Sequence, residues 1–212
     1  MFKDQKIIDF LEKLSSNSPT PGGGTVAAVV ASFSAALGAM VASLSQGERF
    51  ALISSHMKEI EGLLKEKSDL FLQLAEEDKE AFQLVMKARK KPKEDPTREK
   101  EIQESFKSAC LPPLVVMENI SLLLPVLRFL CEQGNKNLLS DIGIACSLSE
   151  SAIYSSTLNV LLNLSNIKDQ VFVVETLRKL EKFSLIGQDF RRLTQSVKYI
   201  LGGERNERST DL

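Results

Sequence analysis

The chain of 212 residues has one histidine, His56, and no tryptophan. A single imidazole leaves zinc sites and His-containing catalytic triads thinly supplied. Aromatic residues make up only 6%, a poor stock for stacking nucleic-acid bases. Charge of one sign is also missing: 27 Lys and Arg meet 28 Asp and Glu, so nothing electrostatic calls for a nucleic-acid partner. The three cysteines, Cys110, Cys131 and Cys146, form no CxxC pair and read as small apolar core residues in a reduced, cytoplasmic compartment. No signal-type apolar run follows the mixed charges of residues 1–6.

What is present is helical periodicity. Ile7, Phe10, Leu11 and Leu14 predict an amphipathic helix over 3–16, ended by a run containing Pro19, Pro21, Gly22, Gly23 and Gly24. The next stretch, 25–45, is rich in Ala, Ser and Gly, and no charge occurs between Lys13 and Glu48. A helix uncharged all round is buried on all sides or lies in lipid. Its small residues and its lack of aromatic or basic flanks favour the central helix of a soluble bundle over a membrane span. Further helices are expected at 53–90, 97–109, 114–131, 140–164 and 168–200, with a break at Pro112-Pro113, a stop at Gly134 and a polar frayed tail over 202–212. No useful β-alternation exists. The expected fold is all-α, one multihelical bundle over 1–201.

Four segments carry candidate chemistry. Gly22, Gly23 and Gly24 ahead of a helix leave backbone N–H groups uncovered at the positive end of its dipole, suiting an anion or a carbonyl, or else form a tight turn for close packing. Asp141, entering a nearly uncharged helix after Ser140, is either a first-turn cap or a partly buried carboxylate with a raised pKa. Asn159 and Asn163, four apart, share a helix face and either read a polar ring or bond between helices. Asp78 lies on the apolar stripe of its helix, four residues before Phe82. The cations around Lys90 suit a helix C-terminus.

In order, Ser18-Pro19-Thr20-Pro21-Gly22-Gly23-Gly24-Thr25 with Met40-Val41-Ala42, Asp78 with Ala81-Phe82, Pro92-Lys93, Pro112-Pro113, Gly134-Asn135 with Ser140-Asp141, and Asn159…Asn163 resemble the cyclodeaminase/cyclohydrolase family of folate enzymes. The likeness spans roughly residues 3–200, and Tyr154-Ser155-Ser156-Thr157 and a short loop after Lys93 depart from the pattern. The resemblance implies a helical homodimer that takes a tetrahydrofolate derivative, with or without a polyglutamate tail, as substrate. It implies no prosthetic group, no metal, no nucleic acid and no membrane. The implied reaction is conversion of 5-formimidoyltetrahydrofolate to 5,10-methenyltetrahydrofolate and ammonia. The alternatives are the methenyltetrahydrofolate cyclohydrolase step and a non-catalytic folate-binding dimer. Under this likeness Asp141 is the principal acid/base and Asp78 the assisting carboxylate. Pro21, Gly22, Gly23, Gly24, Thr25, Ser140, Asn159 and Asn163 bind the substrate, and Lys93, with Lys90 and Lys91, receives its glutamate tail.

Overall fold

A computed structural model of the chain describes residues 5–208. The described residues form seven α-helices and no strand: α1 (Ile7–Leu14), α2 (Gly23–Ser43), α3 (Ser54–Arg89), α4 (Arg98–Ala109), α5 (Leu111–Gln133), α6 (Leu139–Leu164) and α7 (Gln170–Arg208). The fold is therefore all-α, with boundaries close to those expected. Helix α7 runs on through Arg208, into the stretch expected as a frayed tail, and residues 209–212 lie outside the described part.

Helix α2 is central because its side chains are small. Ala27, Ala28, Ala31, Ala35, Ala39 and Ala42 are all buried, and α2 packs chiefly on α3 and α6. A methyl group at Gly38 would come within 3.0 Å of both Leu64 and Leu127, so the absence of a side chain sets how near α3 and α5 approach α2 there. The buried serines of α2 bond across to its neighbours. Ser34 Oγ donates to Ala145 O at 2.8 Å and lies 2.7 Å from Ser149 Oγ, while Ser32 and Ser68 share a 2.9 Å bond. Such bonds remove the penalty of burying hydroxyls. By length and hydropathy α2 could cross a membrane, but 61% of its most apolar window is buried inside the bundle.

The remaining core is aliphatic and aromatic: Met57, Leu64 and Phe71 of α3, Met117, Ile120, Leu123 and Leu127 of α5, and Phe190 of α7. The helix break at Pro112-Pro113 lies between α4 and α5, where the two prolines occupy the first turn of α5. Residue 113 has no N–H, so the carbonyl of Ala109, four residues back, has no intrahelical donor. Gly134 ends α5 where a Cβ would meet Leu130 O at 2.5 Å. One amphipathic helix has no buried residue: α1 leaves Ile7, Ile8 and Leu11 exposed.

Candidate active site

The N-terminus of α2, the last third of α3 and the last third of α6 converge on a cavity of about 310 Å³. Its α3 wall follows from helical spacing: Asp78, Phe82, Val85, Met86 and Arg89 stand at i, i+4, i+7, i+8 and i+11, one stripe of one helix. Its α6 wall is Asn159, Leu162 and Asn163 by the same rule, with Asn166 added from the turn just past the end of the helix. Pro19, Thr20 and the three glycines close one side, and Phe106 and Ala109 of α4 another.

Asp78 is the cavity's carboxylate. Thr25 Oγ1 donates to its Oδ2 at 3.0 Å, and the Thr25 backbone N–H donates to it as well. That N–H belongs to the third residue of α2, the donor an N-cap side chain ordinarily satisfies, and the N-cap residue here is Gly22, which has no side chain to offer. Asp78 thus caps α2 from a different helix. Burial pushes its pKa above the usual aspartate value, against the smaller downward pull of the two Thr25 bonds. The carboxylate fits only because residue 24 is glycine: a Cβ there would lie 2.1 Å from Asp78 Oδ1. At Gly22 and Gly23 the nearest atoms would be at ordinary distances of 3.6 and 3.7 Å. One glycine of the three makes room for the acid.

The two asparagines are held by backbone. Asn159 Nδ2 donates to Ser155 O on its own helix at 2.9 Å. Asn163 Nδ2 donates at 3.0 Å to Ala109 O, the carbonyl left without a donor by Pro113. Each amide keeps its Oδ1 as an acceptor.

Asp78, Gly22, Gly23, Gly24, Asn159 and Asn163 therefore gather as expected from the sequence. Thr25 is buried behind Asp78 and Pro21 beneath the turn, where the Thr20–Pro21 peptide is cis; neither lines the cavity. Asp141 and Ser140 do not join them. Eighteen residues of α6 separate Asp141 from Asn159, about 27 Å of helix, so within one chain the expected pairing of Asp141 with Asp78 is not met. Asp141 stands in the first turn of α6, where a carboxylate suits the helix dipole. Lys93 is exposed and off the cavity, and Lys91 is tied to Glu101 and to Asp95 at 3.6 Å. The lysines near the site are instead Lys87 and Lys90, lining a second hollow of about 430 Å³ that shares Pro19, Thr20, Phe82 and Met86 with the first.

Three lining residues escaped the sequence reading. Arg89 looked like a dipole-complementing cation at a helix end, yet it stands three turns from Asp78 on the same stripe. Asn166 extends the asparagine spacing by a further three residues, a signal available in the sequence. Phe106 becomes visible only once α4 folds against α3. Among the described residues no group of three or more His, Cys, Asp or Glu gathers as a metal site would require.

The model for formiminotransferase-cyclodeaminase matches residues 6–182. Formimidoyltransferase-cyclodeaminase of Mus musculus is 34% identical over 178 residues, 82% of this chain and 33% of that protein. The chain thus spans about a third of the length of these two-activity relatives. Methenyltetrahydrofolate cyclohydrolase of Methylorubrum extorquens is 33% identical over 190 residues, 85% of this chain and 89% of its own length. The crystal structure of formiminotetrahydrofolate cyclodeaminase from Thermotoga maritima superposes with a TM-score of 0.87 at 30% identity, covering 95% of this chain and 100% of that one. With the family match running from α1 into α7, across the glycine turn, Asp78 and both asparagines, the chain belongs to the formiminotransferase-cyclodeaminase family.

Proposed function

We propose that the chain is a formimidoyltetrahydrofolate cyclodeaminase, with Asp78 as its acid/base. The observation that carries this reading is a carboxylate whose pKa is raised by burial, at the wall of a cavity between a helix N-terminus and two backbone-anchored amides. The reaction needs such a group. N10 of the folate attacks the amidine carbon on N5, forming a tetrahedral centre. The N10 proton leaves, ammonia takes up a proton as its C–N bond breaks, and the methenyl bridge remains. One carboxylate that accepts the first proton and returns the second serves both steps. Its contribution is about 10²–10⁴-fold, most effective when the pKa lies near the working pH. Holding N5 and N10 in register inside the cavity supplies much of the remainder.

In this reading Asn159 and Asn163 accept hydrogen bonds from the ring system, and the α2 N-terminus faces a carbonyl or the charge that develops on it. A polyglutamate tail runs toward Lys87 and Lys90, in place of the Lys93 expected from sequence. The working unit is a dimer of this chain. Phe33, Met40 and Leu44 stand exposed on one stripe of α2, and Ile144, Tyr154, Leu158 and Leu162 on one face of the adjacent α6. An apolar surface spanning two packed helices favours a second copy as its cover.

The cyclohydrolase reading has support of its own: among the curated relatives, the one matched along most of its own length carries that activity in its name. Parallel assays separate the two. Formation of the methenyl chromophore with ammonia release from 5-formimidoyltetrahydrofolate is the expected result. Faster loss of that chromophore from added 5,10-methenyltetrahydrofolate would instead make the chain a cyclohydrolase, and folate binding without turnover of either substrate a binding protein. Asp78→Asn is expected to lose at least a hundredfold in kcat and Asp141→Asn no more than a few-fold. The reverse order would remove Asp78 from the acid/base role.

A further inference from the structure

We propose that Arg89 is the specificity-determining residue that reads the glutamate α-carboxylate of the substrate, at the opposite end of the cavity from Asp78. The inference rests on the folate reading of the same site.

Arg89 is held in place without being neutralised. Its guanidinium lies over the Phe106 ring, 4.8 Å from the centroid, and one Nη donates to Asn166 Oδ1 at 2.9 Å. Asn166 is fixed in turn: its Nδ2 donates to Leu162 O at 3.0 Å and to Ser165 Oγ at 3.2 Å, and its main-chain carbonyl accepts from Gln103 Nε2 at 3.0 Å. The amide oxygen is therefore the atom left to meet Arg89. Both contacts of the guanidinium are with uncharged groups, and among the described residues no carboxylate pairs with it. Two nearby lysines differ in this respect: Lys91 is paired with Glu101 and Asp95, and Lys107 with Asp169. A guanidinium oriented on one edge by an amide and on one face by a ring still offers the rest of its planar fork, the geometry that matches a carboxylate.

Position completes the argument. Arg89 follows Asp78 by eleven residues, about 16 Å along α3 on the same stripe. Phe82, Val85 and Met86 line the wall between them, an apolar run suited to an aryl ring. A substrate with its reacting nitrogens at Asp78, an aromatic spacer along that wall and a carboxylate at Arg89 has the layout of tetrahydrofolate. Asn166 is then a positioning residue, acting through Arg89.

The test uses each substrate beside its glutamate-free counterpart, 5-formimidoyltetrahydropteroate. The wild-type chain is expected to favour the glutamyl substrate by about 10- to 100-fold in kcat/KM, with the difference in KM. In Arg89→Met that ratio falls toward one, Arg89→Lys keeps part of it, and Asn166→Ala shows a smaller loss of the same kind. Equilibrium binding of 5-formyltetrahydrofolate and 5-formyltetrahydropteroate to the same variants gives a readout independent of turnover. If the wild-type chain binds folates and Arg89→Met keeps the full preference, or loses both substrates equally with a lowered melting temperature, the assignment is overturned while the folate reading stands. If the wild-type chain neither binds nor turns over any folate, it is the folate reading that fails.

Discussion

Replacing each of the three glycines by alanine, one at a time, tests the link between backbone and acid. By helix propensity alone the changes at Gly23 and Gly24 are favourable or neutral, since alanine is preferred to glycine by about 1 kcal/mol in a helix interior and by less near an end. At the N-cap residue Gly22 alanine is the poorer choice. The space around them differs. In Gly24→Ala the new methyl group starts 2.1 Å from Asp78 Oδ1 and 2.6 Å from its Cγ, so the carboxylate has to retreat by about 1.3 Å to reach ordinary contact at 3.4 Å. Asp78 is a short side chain, and a retreat of that size breaks its bonds to Thr25. Two hydrogen bonds to a charged group are worth about 1.5–3 kcal/mol each. Relief of the buried charge and the gain in propensity offset part of this, leaving a loss of about 2 kcal/mol, or about 4–8 °C in melting temperature for a domain of this size. Turnover falls by about 10², the usual consequence of a catalytic group misplaced by 1 Å. In Gly22→Ala and Gly23→Ala the methyl group meets its nearest atom at 3.6 and 3.7 Å. Stability is expected to stay within about 0.5 kcal/mol for Gly23→Ala, the spread of surface substitutions, and to fall by at most about 1 kcal/mol for Gly22→Ala, where alanine replaces glycine as N-cap. Thermal melts and kcat for the three variants side by side decide the matter. A Gly24→Ala protein as stable and as active as the other two would refute the claim that this glycine exists to seat Asp78.

Two further outcomes follow from the hydrogen bonds. Because burial raises the Asp78 pKa, the native state holds its proton more tightly than the unfolded chain, so this group's contribution to stability is full below the unfolded value of 3.8 and is lost as pH rises through the raised value. Asp78→Asn, which can still accept from Thr25, is expected to gain stability over wild type as pH rises through that window, and melts across pH that keep a constant gap would contradict it. Asn163→Ala strands the Ala109 carbonyl and should cost about 1–3 kcal/mol in chemical denaturation, whereas Asn159→Ala breaks only a bond back to its own helix and should cost less; equal losses would count against this account of Asn163.

The helices were legible because their signals are local. The uncharged stretch after Lys13 had to be buried, and the apolar stripe that carries Asp78 could be counted off in fours. Two kinds of information were not local. Asp141 shares its helix with Asn159 and Asn163, but co-residence on a helix of 26 residues says nothing of distance until the rise per residue is applied to it. Arg89 had a sufficient explanation in the dipole of its own helix, and only the packing of Phe106 and Asn166 against it gives the residue a second role. The three glycines are alike as letters, and the side chain that distinguishes Gly24 comes from a helix that starts thirty residues later. The apolar stripe of α1, plain in the sequence, has no fully buried residue, and Ile7, Ile8 and Leu11 stand exposed.

The proline pair between α4 and α5 carries a consequence for how this protein can be altered. Proline at residue 113 leaves the Ala109 carbonyl available to Asn163. Any residue with an amide hydrogen at that position could restore the 113-to-109 bond and bring α4 and α5 one step nearer to a continuous helix, with Pro112 still leaving the Ser108 carbonyl without its donor. Judged by regularity of the backbone, that change is a repair. It would also set a new donor in competition with Asn163 for one acceptor, releasing an amide from the cavity wall. Consensus design or thermostability screens that reward continuous helices would therefore select against the site at this position, with the lesion appearing on the next helix and not at the substitution.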